Sequence, residues 1–170
     1  PIVSLHDLET RLAATGLRRT VLRSGYFAEN WGDMLPVAEA QGVLPAMMAP
    51  ERKVPIVATP DIGRAAAAAL LDPPPASRVV ALAGPEDISP ADVAAALARL
   101  LGKPVQVAPV PPEAREGAML QAGLPAKTAA LYAEMCNAID SGRVAYEGTE
   151  EKKRGTETIE ETLRRLLARA

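Results

Sequence analysis

The strongest constraint on this chain is a grammar that it uses twice in succession. A short apolar run leads to a Ser or Thr standing before Pro, and a long Ala- and Leu-rich segment follows. VPIVAT runs into TPDIGRAAAAALLD, and RVVALAG runs into ISPADVAAALARLLG. Runs of Val, Ile, Leu and Ala this short read as buried strands. Thr59 or Ser89 as a cap, proline at the first helical position and an acid beside the dipole's positive end together specify a helix start. Strand then helix, repeated, is the α/β pattern.

The flanking segments extend it. Leu5, Leu8 and Leu12 recur at helical spacing between Ser4 and Thr15, with a capping-box-like start at Ser4 and Asp7 and a stop at Gly16. RRTVLRS follows as a strand that turns at Gly25, and Trp31 to Gln41 reads as a helix stopped by Gly42. VLPAMMAPERKVP, with its three prolines, reads as loop, and KPVQVAPVPP as an edge strand. In the last third, Leu131, Met135 and Ile139 mark one helix, and Ile159, Leu163, Leu166 and Leu167 mark another behind the cap in GTETIEE. YEGTEEKKRG between them reads as a charged surface loop. The tally is about four strands, fewer than the ~5–6 of an average sheet.

With 48% hydrophobic residues over 170 positions, residues 1–170 read as one globular domain. Nineteen basic and twenty-one acidic residues are interspersed, so no basic surface tracks a phosphate backbone and nucleic acid is not an expected partner. The longest apolar run, Ala65 to Leu71, falls far short of the ~18 residues of a membrane span. Cys136 is the only cysteine, which rules out an intrachain disulfide; its mid-helix setting suits a small buried side chain, and a cytoplasmic location is expected. His6 and Cys136 together cannot make a four-ligand zinc site, so no metal is expected, and His6 reads as a surface residue.

The usual dinucleotide apparatus is missing. None of the twelve glycines falls at the G-x-G-x-x-G spacing, and no P-loop signature occurs. The Tyr-x-x-x-Lys pair of many short-chain reductases is absent too, since Asn30, Cys136 and Glu150 stand four positions after the three tyrosines. Catalytic residues therefore stay unassigned. The chain opens with PIVSL, without Met or a signal-peptide pattern, and reads as though it starts within a longer protein.

Against that background VLRSGYFAENW stands out, because Tyr26, Phe27 and Trp31 are three of only five aromatic residues. LRSGYFAENW resembles the Arg-Pro-Gly-(Tyr/Phe)-Phe-x-Glu-Asn segment of the NmrA-like family, atypical short-chain dehydrogenase/reductase relatives that bind NAD(P). ATPDIGRAAAAAL resembles that family's Ala-Thr-x-Asp-Ile-Gly-Arg helix start, and LAGPEDISPADVAAALARLLGKPVQV its Gly-Pro-Glu-x-x-Ser unit. Ser24 departs from the family's proline and leaves the turn less rigid.

The resemblance covers nearly the whole chain but only the family's C-terminal half. It implies an α/β chain that forms the C-terminal part of a Rossmann-type NAD(P)-binding fold together with a smaller substrate-side subdomain. Pro1 would stand just after a fifth parallel strand, with the glycine-rich cofactor half absent. It also implies cofactor binding by Gly25, Tyr26 and Phe27 and substrate binding by Asn30 and Trp31, with Met34 at the rim. Read from the residues alone, the same aromatics serve as filler between the sheet and the C-terminal helices.

Two functions follow from the family: an NAD(P)-dependent oxidoreductase acting on a quinone or small carbonyl compound, or a non-catalytic NAD(P)-binding redox sensor acting through a protein partner. A standalone interaction domain is the third reading. The chain alone is expected to hold no NAD(P), and to form a homo-oligomer or to pair with a chain supplying the N-terminal half.

Overall fold

The computed structural model describes residues 2–169. The position assigned to Pro1 lies outside them. The α/β alternation is present and richer than the sequence suggests. In chain order the elements are α1 (Ile2–Ala13), β1 (Thr20–Ser24), β2 (Tyr26–Phe27), a 3-10 helix (Ala28–Met34), α2 (Leu35–Gln41), β3 (Val43–Ala46), β4 (Val54–Val57) and α3 (Thr59–Leu71). Then come β5 (Arg78–Ala83), β6 (Asp87–Ile88), α4 (Pro90–Leu101), β7 (Gln106–Pro109), a short 3-10 turn (Pro112–Ala114), α5 (Arg115–Gln121), α6 (Ala126–Asp140), β8 (Glu151–Arg154) and α7 (Ile159–Leu167).

Three small sheets carry the strands. β5 lies between β1 and β8, with Leu22 opposite Val80 and Val80 opposite Glu151, all parallel. β4 lies between β2, parallel to it, and β6, antiparallel; β3 and β7 form a parallel pair. Parallel pairing needs helical crossovers, which is why the strand-helix grammar repeats. β1 and β8 are the outer strands of the first sheet, with β1 hydrogen-bonded to a neighbour on one side.

Two elements depart from expectation. Residues 43–46, read as loop because of their prolines, form β3, where Pro45 sits opposite Ala108 in a two-stranded sheet. Such a strand has one unpaired edge, and there the missing proline N–H costs nothing. The charged segment read as surface loop contains β8, whose four residues are all exposed and whose backbone nonetheless pairs with β5. Pairing here is decided by backbone complementarity and not by apolar burial. β2 and β6 are two-residue strands too short to carry a periodic signal.

The core gathers on the β4 side. Leu44, Val93, Leu97 and Leu163 are fully buried, with Trp31, Leu35, Ile56 and Ile88 around them. α4 enters this core behind a complete capping box, in which the Asp92 amide donates to Ser89 and Ser89 donates back to the Asp92 carboxylate. α7 has the same arrangement between Thr158 and Glu161, so its apolar face packs from the first turn. α1 contrasts with both. It begins upstream of Ser4, so Ser4 is no cap, and Leu5, Leu8 and Leu12 remain 60%, 52% and 42% exposed.

Candidate functional site

The segment leaving the C-terminal end of β1 changes sheets within one residue. The Gly25 amide donates to the Leu82 carbonyl of β5, and Tyr26 and Phe27 then pair with Ile56 and Val57 of β4. A Cβ at Gly25 would clash with the Pro55 carbonyl oxygen. Gly84, at the end of β5, approaches the Ile56 carbonyl in the same way, and its amide donates to it. β4 is thus wedged between two glycines, and Gly25 is required by the backbone of β4 irrespective of any ligand.

Beyond this crossing the aromatics part company. Trp31 is 4% exposed and joins Ala28 and Leu35 in the main core, while Phe27, the next residue along β2 from Tyr26, is 43% exposed. Tyr26 is half-buried, packs on that core and meets Trp31 with ring centroids 6.2 Å apart and planes tilted by 58°. Asn30 is exposed and Met34 is half-buried against the core. Tyr26, Trp31 and Met34 therefore share one packing neighbourhood, Phe27 and Asn30 present surface, and Trp31 in particular serves as core.

Burial pushes the Tyr26 hydroxyl up to about 12; the Asn30 side chain pulls the other way, and Cys136, Asp33 and Tyr132 add to the rise. At neutral pH this hydroxyl is a proton donor in a hydrogen bond and not a base. Burial likewise raises the Cys136 thiol, more than the nearby Arg115 lowers it, so it stays protonated and unreactive.

A network of charges that the sequence did not reveal holds the segment in place. Glu29 accepts hydrogen bonds from the Thr59 amide at 3.0 and 3.1 Å and from the Thr59 hydroxyl at 2.8 Å, and it pairs with Arg165 of α7 at 2.8 Å. Thr59 is thus not the cap of α3. Ala58 occupies that position without a side-chain bond, and the carboxylate that satisfies the helix end comes from 30 residues away. Burial alone would raise the Glu29 carboxyl, but the bonds from Arg165 and Thr59 outweigh it and hold it below the usual carboxylate range.

Asp61 lies two residues further into the first turn of the same helix, 5% exposed, and accepts from the backbone amides of Thr156 and Glu157 that lead from β8 into α7. At the other end of the crossing, Arg23 reaches Glu9 of α1 at 2.8 Å, Glu150 at 2.9 Å and Glu147 at 3.1 Å. Glu29, Thr59 and Arg165 are visible in the sequence as residue types. Their association is not, because separations of 30 and 136 residues leave no periodic trace.

The Phe27 ring face and the Tyr26 hydroxyl are each of the kind that meets a planar, carbonyl-bearing group such as a nicotinamide or a quinone, and they lie on opposite sides of β2. A diphosphate fits poorly. At the starts of α3, α4 and α7 the Thr59, Ser89 and Thr158 amides already donate to the carboxylates of Glu29, Asp92 and Glu161, and Asp61 takes the Thr156 and Glu157 amides ahead of α7, so carboxylates there repel an anion. Two adjoining cavities of about 350 and 370 Å³ lie elsewhere, between α3 and β1, lined by Leu22, Ala69, Pro73 and Pro74. None of the six residues assigned to the site from sequence lines either. Among the described residues there is no cluster of metal-ligating side chains, and no helix is long and apolar enough to cross a membrane.

Comparison with known proteins gives this arrangement a family. The chain is 29% identical over 142 residues to agroclavine dehydrogenase of Claviceps fusiformis, covering 81% of this chain and 48% of that protein. Its fold superposes on an NADPH-dependent quinone oxidoreductase from Escherichia coli with a TM-score of 0.78 at 24% identity, covering 95% of this chain and 59% of that one. It also superposes on a Citrobacter triphenylmethane reductase complexed with NADP(H), with a TM-score of 0.66 at 22% identity over 84% of this chain and 50% of that one. The chain therefore spans about half to three-fifths of the length of these relatives. The family model of the NmrA-like family matches residues 4–162, through β1, the Gly25 crossing and the Thr59 and Ser89 helix starts to the first turn of α7, and the chain belongs to the NmrA-like family.

Proposed function

We propose that this chain is the substrate-side portion of an NAD(P)-dependent oxidoreductase that reduces a quinone or another small carbonyl compound. One observation carries the reading: Tyr26, half-buried against the core beside Trp31, and Phe27, with its ring exposed, are consecutive residues of β2 just beyond the end of β1 and present a hydroxyl and a ring on its two faces. Open parallel sheets place ligands at that edge. The names of the relatives, a quinone oxidoreductase and a dehydrogenase, support the same chemistry.

In this reading NAD(P)H, when bound, supplies the hydride. The Tyr26 hydroxyl donates a hydrogen bond to the substrate oxygen with Asn30 and Met34 at the entrance, and Phe27, on the outward side of β2, walls the approach. Because the helix starts here already hold carboxylates, the diphosphate is held by residues outside this chain, and the chain alone binds the dinucleotide weakly. The outer edge of β1 and the uncovered Leu5, Leu8 and Leu12 of α1 form the surface on which a cofactor-binding half sits.

The test has two arms. NADPH oxidation with a panel of quinones, measured on this chain joined to its cofactor-binding half, is expected to show turnover that falls in Tyr26→Phe. Sedimentation and NADPH-fluorescence titration of the 170-residue chain are expected to show self-association and weak binding. Tight NADPH binding by a stable monomer would refute the division of labour, and absence of turnover with every quinone would refute the substrate class.

A further inference from the structure

The loop that carries the candidate site has little regular structure of its own. It runs from Ala28 to Met34 as a 3-10 helix with no side-chain cap, and such helices have poor internal hydrogen-bond geometry. Ala28 and Trp31 pin it to the core, and its polar anchor sits between them. Its one charge-bearing contact with the body of the fold in the first turn is Glu29, which makes three hydrogen bonds to Thr59 and one ion pair to Arg165.

We infer that Glu29 is a positioning residue: by accepting the Thr59 backbone amide at the start of α3, its carboxylate sets the loop between Tyr26 and Met34 in the geometry that receives substrate. The role differs from that of Arg165. The Thr59 amide belongs to a rigid helix of 13 residues and offers one fixed direction. Arg165 is a long side chain shared between Glu29 at 2.8 Å and Glu157 at 2.6 Å, and its contribution is to hold α7 against the loop. A ligand meeting Tyr26 thus meets a loop whose first turn is already anchored, and this lowers the ordering cost of binding.

The inference rests on the substrate reading above for what the loop binds, but its test does not need that reading to succeed. Trp31, two residues beyond Glu29, is the only tryptophan, so its emission reports this loop alone. In the full chain, Glu29→Ala is expected to shift Trp31 emission to the red and to raise its quenching by acrylamide. Glu29→Gln keeps an oxygen that accepts the Thr59 amide, and it is expected to restore both readings. Arg165→Gln is expected to lower the unfolding midpoint without moving Trp31.

With duroquinone as the probe, saturable quenching of Trp31 in the parent should weaken about tenfold in Glu29→Ala, the equivalent of one charge-assisted hydrogen bond, and recover in Glu29→Gln. If duroquinone fails to quench the parent saturably, the quinone reading is wrong while the acrylamide comparison still judges the positioning. Should Glu29→Ala fail to fold, Glu29→Gln decides: parent-like emission upholds the inference and a red shift overturns it. Equal behaviour of the parent and both Glu29 variants, or a shift in Arg165→Gln as large as in Glu29→Ala, also overturns it.

Discussion

Replacing Asp61 by Ala tests how far the carboxylates at the start of α3 hold the C-terminal part of the fold. The Asp61 side chain takes the Thr156 amide at 3.1 Å and the Glu157 amide at 3.0 Å, and pairs with Arg64 at 2.6 Å. A hydrogen bond to a charged acceptor contributes about 1.5–3 kcal/mol when its donor is left without a substitute. Thr156 lies at an exposed position, so water can replace its partner and its share falls toward the low end. The Arg64 pair adds little, because the guanidinium is 59% exposed.

Together these give a loss of about 2–4 kcal/mol, or roughly 5–12 °C in the thermal midpoint of a chain this size. Asp61→Asn keeps one acceptor oxygen but turns an NH2 toward the other amide, and should lose about half as much. Urea denaturation followed by far-UV circular dichroism gives the energies, and hydrogen exchange at the Thr156 and Glu157 amides localises them.

The pH dependence provides a second check. Burial would raise the Asp61 carboxyl, but the amide bonds and Arg64 prevail and leave it below its ordinary value. Its contribution is therefore fully present above the unfolded value near ~3.9 and is lost as pH falls through the lower folded value. Asp61→Ala should flatten this part of the acid limb. A loss below about 0.5 kcal/mol, within the range of an ordinary surface substitution, would refute the clasp.

Three further outcomes follow from the packing. Gly25→Ala places a methyl against the Pro55 carbonyl, and should cost about 1–3 kcal/mol or more in urea denaturation, because backbone and not a flexible side chain stands in the way. Leu163→Ala, at a fully buried position, should cost about 2–5 kcal/mol, whereas Leu70→Ala, 82% exposed, should stay within about 0.5 kcal/mol in the same assay. Arg115 is 3% exposed and bonds Asn137 and Asp140 across the α5–α6 pair; Arg115→Ala should cost about 1.5–3 kcal/mol and speed exchange in α6, since Asp140, 19% exposed, loses its charged partner and keeps only the Ala49 amide.

What the sequence disclosed was whatever depends on near neighbours. The start of α4 was readable from Ser89 followed by Pro90 and that of α7 from the Thr/Glu cap in GTETIEE, β4 and β5 from their short apolar runs, and β1 from its β-branched and aliphatic residues ahead of Gly25. β8 was hidden, since Glu151 to Arg154 offer no apolar residue and owe their conformation to β5. β3 was hidden by Pro45, which is acceptable only because the outer edge of that strand is unpaired. At the candidate site the aromatics were legible as a group, but alternation along β2 sends Tyr26 inward and Phe27 outward. The requirement for Gly25 came from Pro55, a residue on a different strand.

The order of strands also bears on how the chain acquires its structure. β1 waits for Arg78–Ala83, β3 for Gln106–Pro109, and β5 for its second neighbour at Glu151–Arg154. No sheet can close from contiguous sequence, so each pairing must pay the entropy of a long loop before it gains contacts, and slow, millisecond-to-second acquisition is expected. During synthesis, β1 would leave the ribosome well ahead of its partner, with the α1 leucines beside it uncovered. Helices α4 and α7, which carry their own start signals, are the segments equipped to form early, and the sheets would assemble around them.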